Sequence, residues 1–254
     1  IATGTNINDL IHLKKSNPKS KFESQLDKLI GKVIPDDWEE LNYANKHEFQ
    51  KILDVLLFVN VELTRTNSNE NDFFPFYSYK NSSKSLEHIH AQNVVGINEN
   101  KKEDWLAWLD AHVSILKTIG IDKGKVDKIV KEVNDIRETI KYEDFKDLSA
   151  KILSLIPNDG EDENEYLHKI NNLAILTLED NIVLSNSVFE VKRTKIIELD
   201  KKGSFIPIST KRIFLNYYVG EEYKQSCVWT KNERENYLME MEKCITPYLV
   251  ENEA

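Results

Sequence analysis

Chain breakers are scarce in this sequence, with eight glycines and six prolines spread over 254 residues. Because these two residues punctuate turns, their scarcity favours long helices over many short strands. The apolar spacing agrees: Phe22, Leu26, Leu29 and Ile30, then Phe49, Ile52, Leu53 and Leu56, recur at helical intervals. So do Val126, Ile129, Val130, Val133 and Ile136, and later Leu148, Ile152, Leu153 and Leu155. Trp105, Trp108, Leu109 and His112 share one stripe, which predicts a packed histidine rather than a ligand. Pro35-Asp36-Asp37 reads as a helix start, where carboxylates meet unpaired amide donors. The aromatic run Phe73 to Tyr79 predicts core packing that clamps the preceding polar loop, with base stacking as the alternative. The expected class is mainly α.

The length admits one large domain or two smaller ones sharing a core. Apolar residues make up 40% and charged residues 30% of the chain, enough apolar material to bury a core and too much for disorder. The longest apolar run, Ile52 to Val59, is interrupted by Asp54, so no membrane crossing is expected. Cys227 and Cys244 are too few and too far apart for a disulfide framework or a zinc knuckle, which fits a cytoplasmic protein. The chain starts at Ile1 with no leader pattern, as expected of a piece of something longer.

Two short stretches stand out against this helical background. The first is Ser85-Leu86-Glu87-His88-Ile89-His90-Ala91-Gln92, in which a carboxylate directly precedes a histidine between apolar neighbours. The second begins at Asn171-Asn172-Leu173-Ala174-Ile175-Leu176-Thr177 and runs through Asn181, Leu184-Ser185-Asn186 and Phe189-Glu190-Val191-Lys192-Arg193. Its apolar run suits a strand, Glu179-Asp180-Asn181 a turn, and Phe189, Lys192 and Ile196 a helix. Hydrolysis of a phosphodiester at neutral pH needs a base to deprotonate water and a divalent ion to hold the phosphate. His88 qualifies as the base. Glu87 and Asn181 offer the oxygen donors that Mg²⁺ or Mn²⁺ prefers, with Asn186 as the reserve ligand should the turn be longer. His90 falls on the His88 side of a strand and is a further candidate ligand.

A net charge of −9 argues against bulk electrostatic coating of nucleic acid. The charge is uneven, however. Between Val188 and Ile213 stand Lys192, Arg193, Lys195, Lys201, Lys202, Lys211 and Arg212 against Glu190, Glu198 and Asp200. This strip is either a phosphate-facing surface or a solvated helix face.

Together, EHI-x-x-Q with NNLAIL, an Asn nine residues after Asn172, and LSN-x-x-F-x-x-K resemble the HNH (His-Me finger, or ββα-metal) nuclease domain of GmrSD-like modification-dependent restriction proteins. Leu56 to Glu62, Phe74-Pro75-Phe76 with Tyr79-Lys80, the Trp105 to His112 helix, Phe205-Ile206-Pro207 with Thr210-Lys211, and Trp229-Thr230 with Tyr237 extend the likeness over most of the chain. Ala91 departs from the pattern, standing where many such proteins have Pro, and CxxC pairs of the zinc-stabilised subtype are absent.

The resemblance implies a helical domain carrying a small ββα-metal finger, interrupted by a helical insertion at about 97–168. Residues 81–254 would form the nuclease domain. Residues 1–80 would be a helical segment leading from an N-terminal ParB-like nucleotide-dependent domain that lies outside this chain. His88 would be the general base, Glu87 and Asn181 the metal ligands, and Asn172 the residue that pins the loop between the strands. Lys192 and Arg193, with Lys195 beside them, would face DNA phosphates. The implied activity is metal-dependent endonuclease action on foreign or modified DNA in bacterial defence against phage. Two alternatives are a catalytically inactive helical module that binds DNA or protein, and a nuclease directed at RNA.

Overall fold

A computed structural model describes residues 5–67, 73–90, 97–157, 160–184, 187–219 and 227–249. The chain is mainly helical, and the described residues include one two-stranded sheet. Helices α1 (Ile7–Ser16), α2 (Lys19–Gly31), α3 (Phe49–Asn67) and α4 (Phe76–Asn81) precede strand β1 (Lys84–His88). Helices α5 (Lys102–Leu116), α6 (Lys123–Ile136), α7 (Tyr142–Leu155) and α8 (Glu163–Tyr166) follow before strand β2 (Leu173–Thr177). The chain then runs through α9 (Leu178–Leu184), α10 (Phe189–Lys201), α11 (Ile208–Phe214) and α12 (Lys231–Ile245). No described helix is long and apolar enough to cross a membrane.

β1 and β2 pair antiparallel, with Leu86 opposite Ile175, Glu87 opposite Ala174 and His88 opposite Leu173. A two-stranded sheet is marginal by itself and needs helices on its faces. α9 packs on both strands, while α3 and α11 pack on β2. Leu173 to Leu176 are accordingly buried throughout rather than alternating. Thr210 on α11 donates its hydroxyl to the Ile175 carbonyl at 2.8 Å. On α3, Ile52, Leu56 and Val59 are fully buried at the i, i+4, i+7 spacing that marks a core-facing stripe. Asn60, buried on the same helix, accepts from the Ser209 amide at 2.9 Å and so fixes the start of α11.

The described residues form two apolar cores. One gathers α3, the strand pair, Phe189 and Ile196 of α10, and Trp229, Tyr237 and Met241. The other fills the interior of α5, α6 and α7 around Trp105, Trp108, Phe145 and Ile152. Val188 and Val191, at the start of α10, belong to this second core, so α10 serves both.

Three local expectations are corrected. Pro35-Asp36-Asp37 opens only a 3₁₀ turn, Trp38–Glu40, in which Asp37 makes no side-chain cap; burial of Trp38 and Leu41 draws the segment into the core. Glu179, Asp180 and Asn181 lie within α9 rather than in a turn. The helix starts there because Thr177 donates its hydroxyl to the Asp180 carboxylate at 2.8 Å while accepting from the Asp180 amide at 3.1 Å. The aromatic run divides: Phe74 is buried against Phe76, Tyr79 and Phe205, while Phe73 and Tyr77 are 86% and 82% exposed. Successive side chains on a helix point about 100° apart, so the residues of α4 cannot all face inward.

Candidate functional site

The two singled-out stretches meet at the end of the strand pair. Asn172 is fully buried, and its side chain accepts from the His90 amide at 3.1 Å while donating to the His90 carbonyl at 2.9 Å and the Leu167 carbonyl at 2.9 Å. The Asn172 carbonyl accepts from the Ile89 amide at 2.8 Å. One amide therefore holds the segment after β1 and the segment before β2 together across about eighty residues of chain. The Trp229 indole, donating to the Asn171 carbonyl at 3.1 Å, braces the same corner from the C-terminal side.

His88 ends β1 half-buried. Its Nε2 lies 3.1 Å from Nδ1 of His168, and the Tyr43 ring meets it edge-on with centroids 5.2 Å apart. Burial, then the positive charge of Lys192 and the neighbouring His168, lowers its pKa from 6.5 to about 4. At neutral pH it is an uncharged imidazole with a lone pair to offer, which is the state a general base needs.

Glu87 points to the opposite face of the strand. Its carboxylate lies 2.6 Å from the Lys192 ammonium, which also donates to the His88 carbonyl at 2.5 Å. Burial pushes the Glu87 carboxyl above its ordinary range, against the pull of Lys192 and Lys195. Asn181, on α9, donates its amide to the Ser85 hydroxyl at 2.6 Å and the Leu86 carbonyl at 3.3 Å. Ser85 and Glu87 are two apart on one strand, so Asn181 reaches the Glu87 face of β1.

Lys192, expected to face phosphates, is instead buried within the protein. Its side chain is 1% exposed, because Phe189, Lys192 and Ile196 fall at i, i+3 and i+7 on the buried face of α10. Arg193 is paired with Glu190 at 2.9 Å, both largely covered. Lys195 reaches back toward the Leu184 carbonyl at 3.5 Å, with its pKa lowered by burial and then by Lys192. The strip that looked outward in sequence is thus turned toward the protein through its first turns, and Lys201 and Lys202 further along it are exposed.

His90 is 2% exposed, with its ring 6.4 Å from that of Tyr166. His112 is packed as expected. Asn186, Ala91 and Gln92 lie outside the described residues. Nothing in the sequence spacing of His168 marks it as a partner of His88. Tyr43, between Asn42 and Ala44, likewise carries no pattern of its own. Both are placed by an isolated bridge between Asn42 and Lys169, in which the Tyr43 amide donates to the His168 carbonyl at 2.9 Å.

Among the described residues, no group of three or more His, Cys, Asp or Glu side chains is assembled around one point. Of the residues expected to hold a cation, Glu87 has one carboxylate oxygen on Lys192, and Asn181 has its amide nitrogen on Ser85 and Leu86. Carboxylate and amide oxygens are donors of the kind that suits an ion of the magnesium type, which keeps several waters, rather than a closed zinc site. Compared with family models, with curated proteins and with solved structures, the chain has no match in any of the three.

Proposed function

We propose that the chain is a metal-dependent endonuclease of the HNH type, acting on DNA, in which the strand pair, α9 and α10 form the finger and α5–α8 the insertion. The observation that carries the reading is the Asn172 clamp, which joins the stretch holding Glu87 and His88 to the stretch before β2 and leaves an uncharged His88 at the end of the strand pair. His88 would take the proton of the attacking water. Glu87 and Asn181 would hold Mg²⁺ or Mn²⁺, which when bound supplies charge for the phosphate and the leaving oxygen. Foreign or modified DNA as substrate, a role in defence against phage, and a ParB-like N-terminal partner belong to the same proposal and rest on the sequence resemblance.

The test is nicking of plasmid DNA by the purified chain. His88→Ala is expected to lower the rate about 10²–10⁴-fold with the fold retained. Chelation should stop the reaction, and added Mg²⁺ or Mn²⁺ should restore it. Nicking that survives chelation, or that survives in His88→Ala, defeats the reading.

A second reading, an interaction module without catalysis, is favoured by one observation: Lys192 already neutralises the carboxylate on which a cation would depend. Its expected result is binding of DNA or of a protein with no cleavage under any divalent ion.

A further inference from the structure

His88 has a histidine partner that the proposed chemistry has not yet used. His168 and His88 are eighty residues apart in sequence, yet their ring nitrogens are 3.1 Å apart and their ring centroids 5.2 Å apart. The contact is held from several sides. The Leu167 carbonyl, directly before His168, accepts from the same Asn172 amide that grips His90, so one side chain sets both histidine-bearing segments. The His168 carbonyl accepts from the Tyr43 amide, and the Tyr43 ring lies against both imidazoles, with centroids 5.2 Å from His88 and 6.2 Å from His168. A surface collision between two mobile histidines would show none of this bracing.

Only one proton can lie between the two nitrogens, and its side decides what His88 can do. If His168 donated, the His88 Nε2 lone pair would be consumed and the base blocked on that side. If His88 donates from Nε2, its Nδ1 keeps the lone pair and faces away from His168, ready for a water proton. The charge gained on protonation then spreads onto a hydrogen bond already made. This is the general logic of a base oriented by a third group.

We infer that His168 is a positioning residue for His88, accepting at Nδ1 the proton carried on His88 Nε2 and so presenting His88 Nδ1 as the basic atom. The role rests on the endonuclease reading, while the hydrogen bond itself does not. Outer partners of functional histidines fix tautomer and ring orientation, and their loss typically costs about 10–100-fold in activity.

Two measurements on the full chain test it. Imidazole ¹⁵N–¹H correlation spectra at neutral pH should show His88 as the Nε2–H tautomer with a slowly exchanging ring proton, which His168→Ala abolishes. A His88 found as the Nδ1–H tautomer, or a ring proton unchanged in His168→Ala, overturns the inference whatever the chain does to DNA. In plasmid nicking, His168→Ala should lower kcat about 10–100-fold with KM within about twofold. His168→Asn, whose amide oxygen can accept where Nδ1 did, should recover most of the loss. Equal rates for wild type and His168→Ala, or equal losses in the alanine and asparagine variants, overturn the inference and leave the nuclease standing. A wild-type chain that never cleaves removes the nuclease reading and the kinetic role together, and the spectra still decide the hydrogen bond.

Discussion

Removing the Lys192 ammonium leaves the Glu87 carboxylate, on a residue 8% exposed, without its counter-charge. A buried ion pair adds little net stability over well-packed apolar groups, but breaking one from a single side is costly, about 3–5 kcal/mol. Lys192→Met is therefore expected to lower the urea unfolding free energy by that amount. Glu87→Gln combined with Lys192→Met should cost clearly less than Lys192→Met alone, because no unpaired charge then remains. A double variant as unstable as the sum of the two single variants would contradict the pairing. The same geometry removes Lys192 from any account of phosphate contact, so charge reversal there would report on folding before it reported on DNA.

At the level of elements, α2 ends tightly against the C-terminal turn. A Cβ added to Gly31 would lie 2.0 Å from the Tyr248 carbonyl oxygen, so backbone must shift to admit it. Alanine gains about 1 kcal/mol over glycine as a helix former, while overpacking against backbone costs about 1–3 kcal/mol. The second effect should win, and Gly31→Ala should melt lower than wild type; a higher melting temperature would show that this end of α2 yields freely.

The helices themselves were legible in the sequence, because burial of one face imposes a 3.6-residue period that Phe49 to Leu56 and Trp105 to His112 carry openly. The pairing of the two short stretches was legible from the apolar run Leu173 to Leu176 and the Glu87-His88 pair. The charge of Lys192 points outward in the sequence, but its place on one helical stripe with Phe189 and Ile196 is what decides its burial. His168 was not legible at all. Its position follows from a bridge between Asn42 and Lys169, a contact between distant segments that leaves no local period.

On the scale of the whole molecule, the two cores are joined where α5 meets the start of α10, and the joint contains His112. Its ring is fully buried and stacked on Trp108 with centroids 3.5 Å apart. Nδ1 lies 2.8 Å from the Trp108 carbonyl and so carries the proton, while Nε2 accepts from the Val188 amide at 3.3 Å. A second proton on Nε2 would set two N–H groups against each other, and burial above all lowers the pKa from 6.5 to about 3. Between those values the unfolded chain binds a proton that the folded chain refuses, so this contribution is present in full above about pH 6.5. It is lost progressively as pH falls toward 3, by at most about 1.4 kcal/mol per pH unit. His88, lowered to about 4, acts in the same direction. Urea unfolding followed from pH 7 to pH 4 should show stability falling over this range. His112→Leu should be less stable at pH 7, having lost the bond to Val188, and its dependence on pH should be shallower by up to one proton. A variant whose pH slope matches that of the wild type would show that His112 does not report the opening of the joint between the two cores.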